Sequence, residues 1–341
     1  MRILVTGADG FIGSHACDAL PALGIDVRPV CGPGASRRPG IERCYACIDL
    51  AGSALPHAAF AGIDAVVHLA GIARIARGSD VAGVERYMRV NRDGTLALAR
   101  AAVRAGVPRF VYASSIHARA HDAAYESAAC EAAVPQRIAP AHPGGGPAWS
   151  DPYGWSKRAA EAELEQLSAR SGLELCILRL PVVYGPRVHG GFLRLLRLIW
   201  AGVPLPIGSL SIRKDVLYIE NLIALLAGVL KADEAPGIAR TPIRGTSVDL
   251  TQMVEGLAAG MGRRARIWSV SRALVAAAMR SMGYSSQWNR LAACADSQND
   301  MQDGHSSPVP QAEGLRRTGH WYAGMRSKAR WASDAAGGSP P

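Results

Sequence analysis

Lysine is nearly missing from this 341-residue chain: Lys157, Lys214, Lys231 and Lys328 are the whole set, and the other 34 of its 38 basic residues are arginine. With a formal charge of +10 and a pI of about 9.6, nucleic acid, an anionic membrane surface or an anionic small substrate would each suit it as a partner. The arginines form no dense basic block, however, and aromatic residues, at 6%, supply no interleaved stacking platform, so no nucleic-acid partner is expected. Cysteine is also scarce. Cys17, Cys31, Cys44, Cys47, Cys130, Cys176 and Cys294 are scattered and odd in number, which suggests no disulfide framework. Cys44-Tyr45-Ala46-Cys47 has zinc-knuckle spacing but lacks a second ligand pair within reach in sequence, so no metal is expected. Long apolar runs are lacking too: the region from Phe192 to Leu230 is broken by Arg194, Arg197, Arg213, Lys214 and Asp215, and the chain opens without a basic-then-apolar leader. Neither an integral membrane segment nor a signal peptide is expected, and the expected location is cytoplasmic.

What is present begins with apolar mass. At 49% hydrophobic and with mean hydropathy near zero, the chain has enough to bury one large core or two unequal ones. Arg2-Ile3-Leu4-Val5 reads as a short buried strand, and Thr6-Gly7-Ala8-Asp9-Gly10-Phe11-Ile12-Gly13 turns it directly into an amphipathic helix, Ser14 to Leu20, closed by Pro21 and Gly24. A strand entering a glycine-rich turn and then a helix leaves unpaired backbone N–H groups at the positive end of the helix dipole, where a pyrophosphate fits. Gly7 permits the tight turn, Gly10 lets the backbone approach the phosphates, and Gly13 lets the helix pack on the strand. One triplet among 37 glycines says little; its place between apolar strand and amphipathic helix identifies a dinucleotide-binding turn, with Gly7, Gly10, Phe11, Ile12 and Gly13 as cofactor contacts.

The second strand is expected over Ile25 to Val30, where Pro29 is an oddity because proline in an interior strand loses a ladder hydrogen bond. An acid at the end of that strand would hold the adenosine ribose of NAD, but Cys31 occupies the place, and Arg37 and Arg38 follow in the next loop. That tilts the cofactor mildly toward NADP; two solvated loop arginines are an equal reading, and NAD or NADP stays open. Cys47-Ile48-Asp49-Leu50 reads as the end of the third strand. Ala65 to Gly71 is a continuous apolar run, as in a buried parallel strand, and Leu69, Ala70 and Gly71 let a cofactor lie against the backbone. His68 within it reads as a satisfied core histidine. Val84 to Gly106 is a long helical segment carrying Asn91.

Arg109 to Ile116 is the fifth strand, and its C-terminal end delivers Ser115 to the crevice where α/β sheets bind ligands. His117 to Trp149, rich in alanine, proline and glycine, reads as a loop over the site. Ser150-Asp151-Pro152 then starts a helix running from Tyr153 to about Arg170. On it Tyr153 and Lys157 stand at i and i+4 and project from one face. Nine tyrosines and four lysines give about 0.1 accidental pairs at this spacing, so chance is a poor account of it. A phenol is a poor acid or base at neutral pH, and a neighbouring ammonium together with an oxidised nicotinamide is expected to lower its pKa. Lys157 is the first lysine of an arginine-rich chain, as expected if a compact ammonium must reach both ribose hydroxyls. Ser115, Tyr153 and Lys157 are therefore the catalytic candidates for reversible hydride transfer at a carbinol.

On these motifs the chain resembles the extended short-chain dehydrogenase/reductase family, the NAD-dependent epimerase/dehydratase enzymes of nucleotide-sugar chemistry. The likeness covers nearly the whole chain, is strongest from 1 to 221 and is weak from 286 to 312. The wording around Ser114-Ser115-Ile116 and from Phe192 to Asn221 is most similar to bacterial UDP-N-acetylhexosamine epimerase/reductase enzymes of surface-polysaccharide synthesis. The resemblance implies an α/β fold: a Rossmann-like, doubly wound parallel sheet over 1–180 with segments returning near 213–245, a smaller C-terminal α/β substrate region over 181–331, and an unstructured tail over 332–341. It also implies that Asp49 and Leu50 touch the adenine, that Asn91 ties the sheet together without reacting, and that Pro181 begins the turn that brings the nicotinamide to the substrate region. Arg213 would hold the nucleotide diphosphate. Ser115, His117, Gly191 and Phe192 would complete the substrate contacts, although Gly191 replaces a common asparagine and His117 a more usual lysine. Glu313 to Thr318 is similar to the family's terminal helix, and a homodimer is the family's habit.

Dehydratases of this family need an Asp-Glu pair just after the strand-five hydroxyl, and here Ile116-His117-Ala118 follows Ser115. The expected activity is thus UDP-hexose or UDP-N-acetylhexosamine epimerisation, with NADPH-dependent reduction of a UDP-4-keto-sugar near parity. A non-catalytic dinucleotide-binding regulator is a further alternative. So is an enzyme of the steroid-dehydrogenase or flavonoid-reductase kind, for which an apolar substrate region without Arg213 would be expected.

Overall fold

A computed structural model of the chain describes residues 1–33, 44–52, 55–73, 81–123, 151–210, 212–232, 239–243, 245–281 and 308–337. Arg37, Arg38, most of the loop expected over 117–149 and most of 286–312 lie outside the described residues.

The first strand, β1 (Arg2–Thr6), is fully buried at Ile3, Leu4 and Val5 and leads into α1 (Phe11–Ala19). There follow β2 (Asp26–Cys31), the two-residue β3 (Ala46–Cys47), β4 (Ala65–His68), α2 (Val81–Tyr87), α3 (Gly94–Arg104), β5 (Arg109–Ser115), α4 (Pro152–Ser171) and β6 (Glu174–Leu180). The second half carries β7 (Val182–Tyr184), α5 (Gly190–Trp200), β8 (Arg213–Tyr218), α6 (Ile219–Lys231), β9 (Ala239–Pro242), β10 (Thr246–Asp249), α7 (Leu250–Gly260), α8 (Arg272–Ser281) and α9 (Gln311–Gly337).

Seven strands form one parallel sheet in the order β3-β2-β1-β4-β5-β6-β9. The order runs outward in both directions from the β1/β4 pair, and at such a switch point the carboxyl ends of the strands leave a ligand crevice. The Rossmann-like, doubly wound sheet is therefore present. Pro29 is accommodated because its carbonyl, accepting from Tyr45 N–H at 2.9 Å, faces the β3 edge, and β3 pairs only with Val30 and Cys31. The lost donor thus falls ahead of the ladder. The chain divides into two compact units: Met1–Pro181 with Ile223–Ile243, and Val182–Leu222 with Arg244–Pro341. In the second unit, β8 pairs antiparallel with β10 and parallel with β7.

The helical segment expected over Val84 to Gly106 is present from Val81 to Arg104, with a π-helical turn, Met88–Asp93, in its middle that holds the buried Asn91. Such a turn inserts an extra residue per turn and re-aims side chains, which pattern reading cannot register. The tail expected from Ala332 is helical as far as Gly337, because Trp331-Ala332-Ser333-Asp334-Ala335-Ala336 contains no helix breaker.

The helix α4 is fastened to the sheet through charge. Glu161 has no solvent exposure; its carboxylate accepts from Ser114 Oγ on β5 and from Nε and Nη2 of Arg179 on β6. The same guanidinium donates to both oxygens of Asp122 at 2.7 Å, and Arg158 Nε on α4 lies 2.8 Å from Asp122 Oδ1. Burial opposes the charge on Arg179, but hydrogen bonds to Asp122 and Glu161 outweigh it and hold its pKa above the ordinary value. Replacing Arg179 by Met leaves the Glu161 carboxylate buried and unpaired, and is expected to cost about 3–5 kcal/mol of stability. Urea unfolding of the two proteins checks this; coincident midpoints with equal slopes would contradict it.

Candidate active site

The turn between β1 and α1 has the shape expected of a phosphate cradle. Gly7 has φ +68°, and a Cβ there would lie 2.8 Å from the Ala70 backbone N and Cα, so the turns after β1 and β4 touch through bare backbone. A Cβ on Gly13 would lie 2.0 Å from Gly7 O, which fixes the closeness of α1 to the turn. Gly10 is the N-cap, no side chain caps the helix, and no acid stands in its first turn, Phe11-Ile12-Gly13. That end of α1 suits an anion through its amides and dipole. Asp49 is exposed and uses its carboxylate to accept from Ala51 N–H at 2.9 Å, shaping the turn that carries Leu50. Leu50 packs against the main core. Leu69 and Ala70 are half-buried, Gly71 is exposed with φ +157°, and Pro181 is buried just after β6.

His68 belongs to the core. Thr95 Oγ1 donates to Asn91 O at 2.7 Å, so His68 Nε2–H donates to Thr95 Oγ1 at 2.8 Å, and Nδ1 is left to accept from Thr6 Oγ1 at 2.6 Å. This network requires the neutral ring, and burial, aided by Lys157, pushes its pKa down to about 3. Asn91 braces the surroundings: its side chain accepts from Ile72 N–H at 2.9 Å, and its Nδ2 donates to Ile72 O at 2.9 Å and to Ser156 Oγ at 3.0 Å. It thereby ties the segment after β4 to α4.

Ser115, His117, Tyr153 and Lys157 converge. The carboxylate of Asp151 caps α4 by accepting from Gly154 N–H at 3.2 Å, which sets Tyr153 and Lys157 in the first two turns. Ser115, buried at the end of β5, accepts from His117 N–H at 3.2 Å, and its hydroxyl lies near enough to the Tyr153 phenol to favour the phenolate. Lys157 Nζ donates to Ala113 O at 2.9 Å and stands 4.7 Å from the centre of the Tyr112 ring. The His117 ring lies 5.8 Å, edge-on, from that of Tyr153, and its Nδ1 pairs with Asp151 Oδ2 at 2.9 Å. Burial disfavours the Asp151 carboxylate, yet the hydrogen bond with His117, the His121 ring 3.9 Å away and the Gly154 N–H hold its pKa well below the usual range. The His117–Asp151 pair escaped the sequence reading, which took Asp151 as a helix cap alone.

Burial pushes the pKa of Tyr153 up to about 12, the nearby Ser115 hydroxyl opposes this more weakly, and Lys157 turns its ammonium to Ala113 O and the Tyr112 face. Burial brings Lys157 itself down to about 8. The site therefore holds a protonated phenol beside a desolvated ammonium.

These residues fit a nicotinamide dinucleotide. A buried ammonium with three donors finds one hydrogen-bond acceptor among the described residues, and a Cβ on Gly71 would come within 3.5 Å of Nζ, so the donors open toward bare backbone where ribose hydroxyls could be held.

In the second unit, Gly191 is exposed in the first turn of α5, and Phe192 beside it stacks on Tyr184 with ring centres 5.3 Å apart. Arg213, exposed on β8, donates through Nε to Ser247 Oγ and through Nη2 to Ser247 O, each at 3.1 Å. Its guanidinium is thereby held extended along β10. Among the described residues, no helix is long and apolar enough to cross a membrane.

The chain is 29% identical over 264 residues to the UDP-glucose 4-epimerase of Vibrio cholerae, covering 76% of each sequence. It is 28% identical to a 3-beta-hydroxysteroid dehydrogenase of Mycolicibacterium neoaurum, covering 84% of this chain and 76% of that protein. Its fold superimposes on the crystal structure of the UDP-glucuronic acid 4-epimerase of Bacillus cereus, which contains NAD, with a TM-score of 0.65 at 22% identity, over 95% of this chain and 99% of the other. The sequence pattern of the NAD dependent epimerase/dehydratase family matches residues 3–239, which take in the cradle, Ser115 and the Tyr153/Lys157 helix. On that match the chain belongs to the NAD dependent epimerase/dehydratase family and is an NAD(P)-dependent enzyme.

Proposed function

We propose that the chain is a nucleotide-sugar 4-epimerase, working on a UDP-hexose or UDP-N-acetylhexosamine by reversible hydride transfer at a sugar carbinol. The observation that carries this is that Tyr153 and Lys157, one helical turn apart on α4, meet the C-terminal end of β5, where Lys157 Nζ donates to Ala113 O and the buried Ser115 hydroxyl lies. A bound nicotinamide supplies the hydride acceptor and returns the hydride. Tyr153 takes the carbinol proton and gives it back, Ser115 holds the sugar oxygen in line with the phenol, and Lys157 grips the ribose and brings positive charge near the phenolate as it forms. Arg213, pre-extended by Ser247, offers a fork for the nucleotide diphosphate. Ile116 and His117 stand where a dehydratase needs its acid pair, which speaks against dehydration.

The same three side chains serve a reductase of UDP-4-keto-sugars, so the two activities differ in whether the hydride is returned or consumed. A steroid-type substrate is a further reading, favoured by the likeness to the Mycolicibacterium dehydrogenase, and the exposed guanidinium of Arg213 opposes it.

Tyr153→Phe is expected to keep dinucleotide binding nearly intact and abolish turnover, because the ring still packs but no proton can move. Lys157→Arg is expected to fail too, since a planar fork does not replace an ammonium between ribose and phenol. Substrate oxidation rates together with dinucleotide titrations decide both, and full turnover in either variant would remove its residue from the mechanism. Arg213→Ala is expected to weaken UDP binding by about 1.5 to 3 kcal/mol, the range for hydrogen bonds to charged groups. If UDP fails to bind the parent protein in the same titration, the nucleotide-sugar reading gives way to the apolar one. Denaturing the purified protein and identifying released nucleotide, then following NADPH absorbance with a UDP-4-keto-sugar, separates the two sugar activities. Stoichiometric NAD with no NADPH consumption is the epimerase result, and an empty protein that steadily consumes NADPH is the reductase result.

A further inference from the structure

We infer that Asp9 replaces the acid missing from the end of β2, and that its carboxylate makes the site select NAD over NADP. This rests on the dinucleotide reading above. In sheets of this kind the adenosine ribose lies between the pyrophosphate and the end of the second strand, where an acid accepts from its 2′-OH. Here β2 ends at Cys31, a buried thiol, and Gly32 beyond it has no side chain to offer. The gap is filled from the other side. Asp9 stands in the turn between β1 and α1, directly before the N-cap Gly10, and its Oδ1 accepts from Gly32 N–H at 3.1 Å.

That hydrogen bond lays the carboxylate across the end of β2, between the phosphate cradle and the place a strand-end acid would occupy. A Cβ on Gly32 would be 3.9 Å from Asp9 Oδ2, so this second oxygen also faces the strand end over bare backbone. Burial pushes the Cys31 thiol well above its ordinary pKa, and the Asp9 charge adds to the shift, which places the carboxylate's field at this spot. Among the described residues, Asp9 has no cationic partner. A ribose 2′-OH would donate to this carboxylate, and a 2′-phosphate would meet a like charge at close range. The sequence pattern hid this because the acid comes from inside the glycine-rich turn, some twenty residues ahead of the position inspected for it.

The test is calorimetric titration of the full-length protein, stripped of nucleotide, with NAD+ and with NADP+. The parent is expected to bind NAD+ at least about tenfold more tightly, and Asp9→Asn to shrink that ratio about fivefold or more, mainly by improving NADP+ binding, as removal of one nearby like charge implies. The asparagine still accepts from Gly32 N–H, so the turn keeps its brace; Asp9→Ser is expected to move the ratio the same way. A parent that binds NADP+ as well as NAD+ overturns the inference, as does an unchanged ratio in both variants. A parent that binds neither dinucleotide overturns the proposed function along with it, whereas binding of both with an unmoved ratio removes Asp9 alone.

Discussion

The arrangement depends on the ion pair between Glu161 and Arg179. A carboxylate with no solvent exposure is costly unless every lone pair is matched, and here Ser114 and Arg179 match it from two neighbouring strands. Glu161 lies four residues beyond Lys157, which lies four beyond Tyr153, so the three side chains descend one face of α4. Holding the lowest of them to β5 and β6 sets the rotation of the helix about its axis. The upper two are then aimed at the end of β5, where Ser115 waits. A pair that contributes little net stability by itself thus decides the geometry of the chemistry.

Burial then sets the acid–base character of the site. In water the phenol and the ammonium titrate close together; inside the protein burial drives them apart in opposite directions, to about 12 for Tyr153 and about 8 for Lys157. Each residue is held nearer its neutral form than it would be in water. The site as it stands resists forming the phenolate that hydride chemistry requires, and a bound, positively charged ring and ribose acceptors for Lys157 are what would reverse both shifts.

Much of this was legible in the chain because the signals were local. The strand-turn-helix of residues 2 to 19, the i, i+4 spacing of Tyr153 and Lys157 behind an Asp-Pro start, and the core role of His68 all follow from neighbours in sequence. What escaped depended on contacts far apart along the chain. The raised pKa of Tyr153 reflects its burial, and Lys157 turns its ammonium toward the Ala113 carbonyl and the Tyr112 ring, both of which only the folded chain determines. The His117–Asp151 pair joins residues 34 apart. The π-turn around Asn91 is maintained by hydrogen bonds to Ile72 and Ser156, neither of which a periodicity can see. Pro29 seemed out of place until β3 proved to be two residues long.

The two units are not consecutive pieces of chain. Strand β9, which closes the parallel sheet beside β6, arrives only after the chain has left at Pro181 and returned at Ile223, in the course of α6. Arg109 adds a second dependence on the returning stretch, since its Nη1 donates to the carbonyls of Leu230 and Ala232. A ribosome releasing this protein has therefore made the cradle, Ser115 and the Tyr153 helix well before the last strand of their sheet exists. Until then Cys176 to Arg179 of β6 present an open edge, with backbone groups free to pair with whatever extended chain is nearby. The order of synthesis thus gives the nascent chain an interval of vulnerability that the finished sheet does not have.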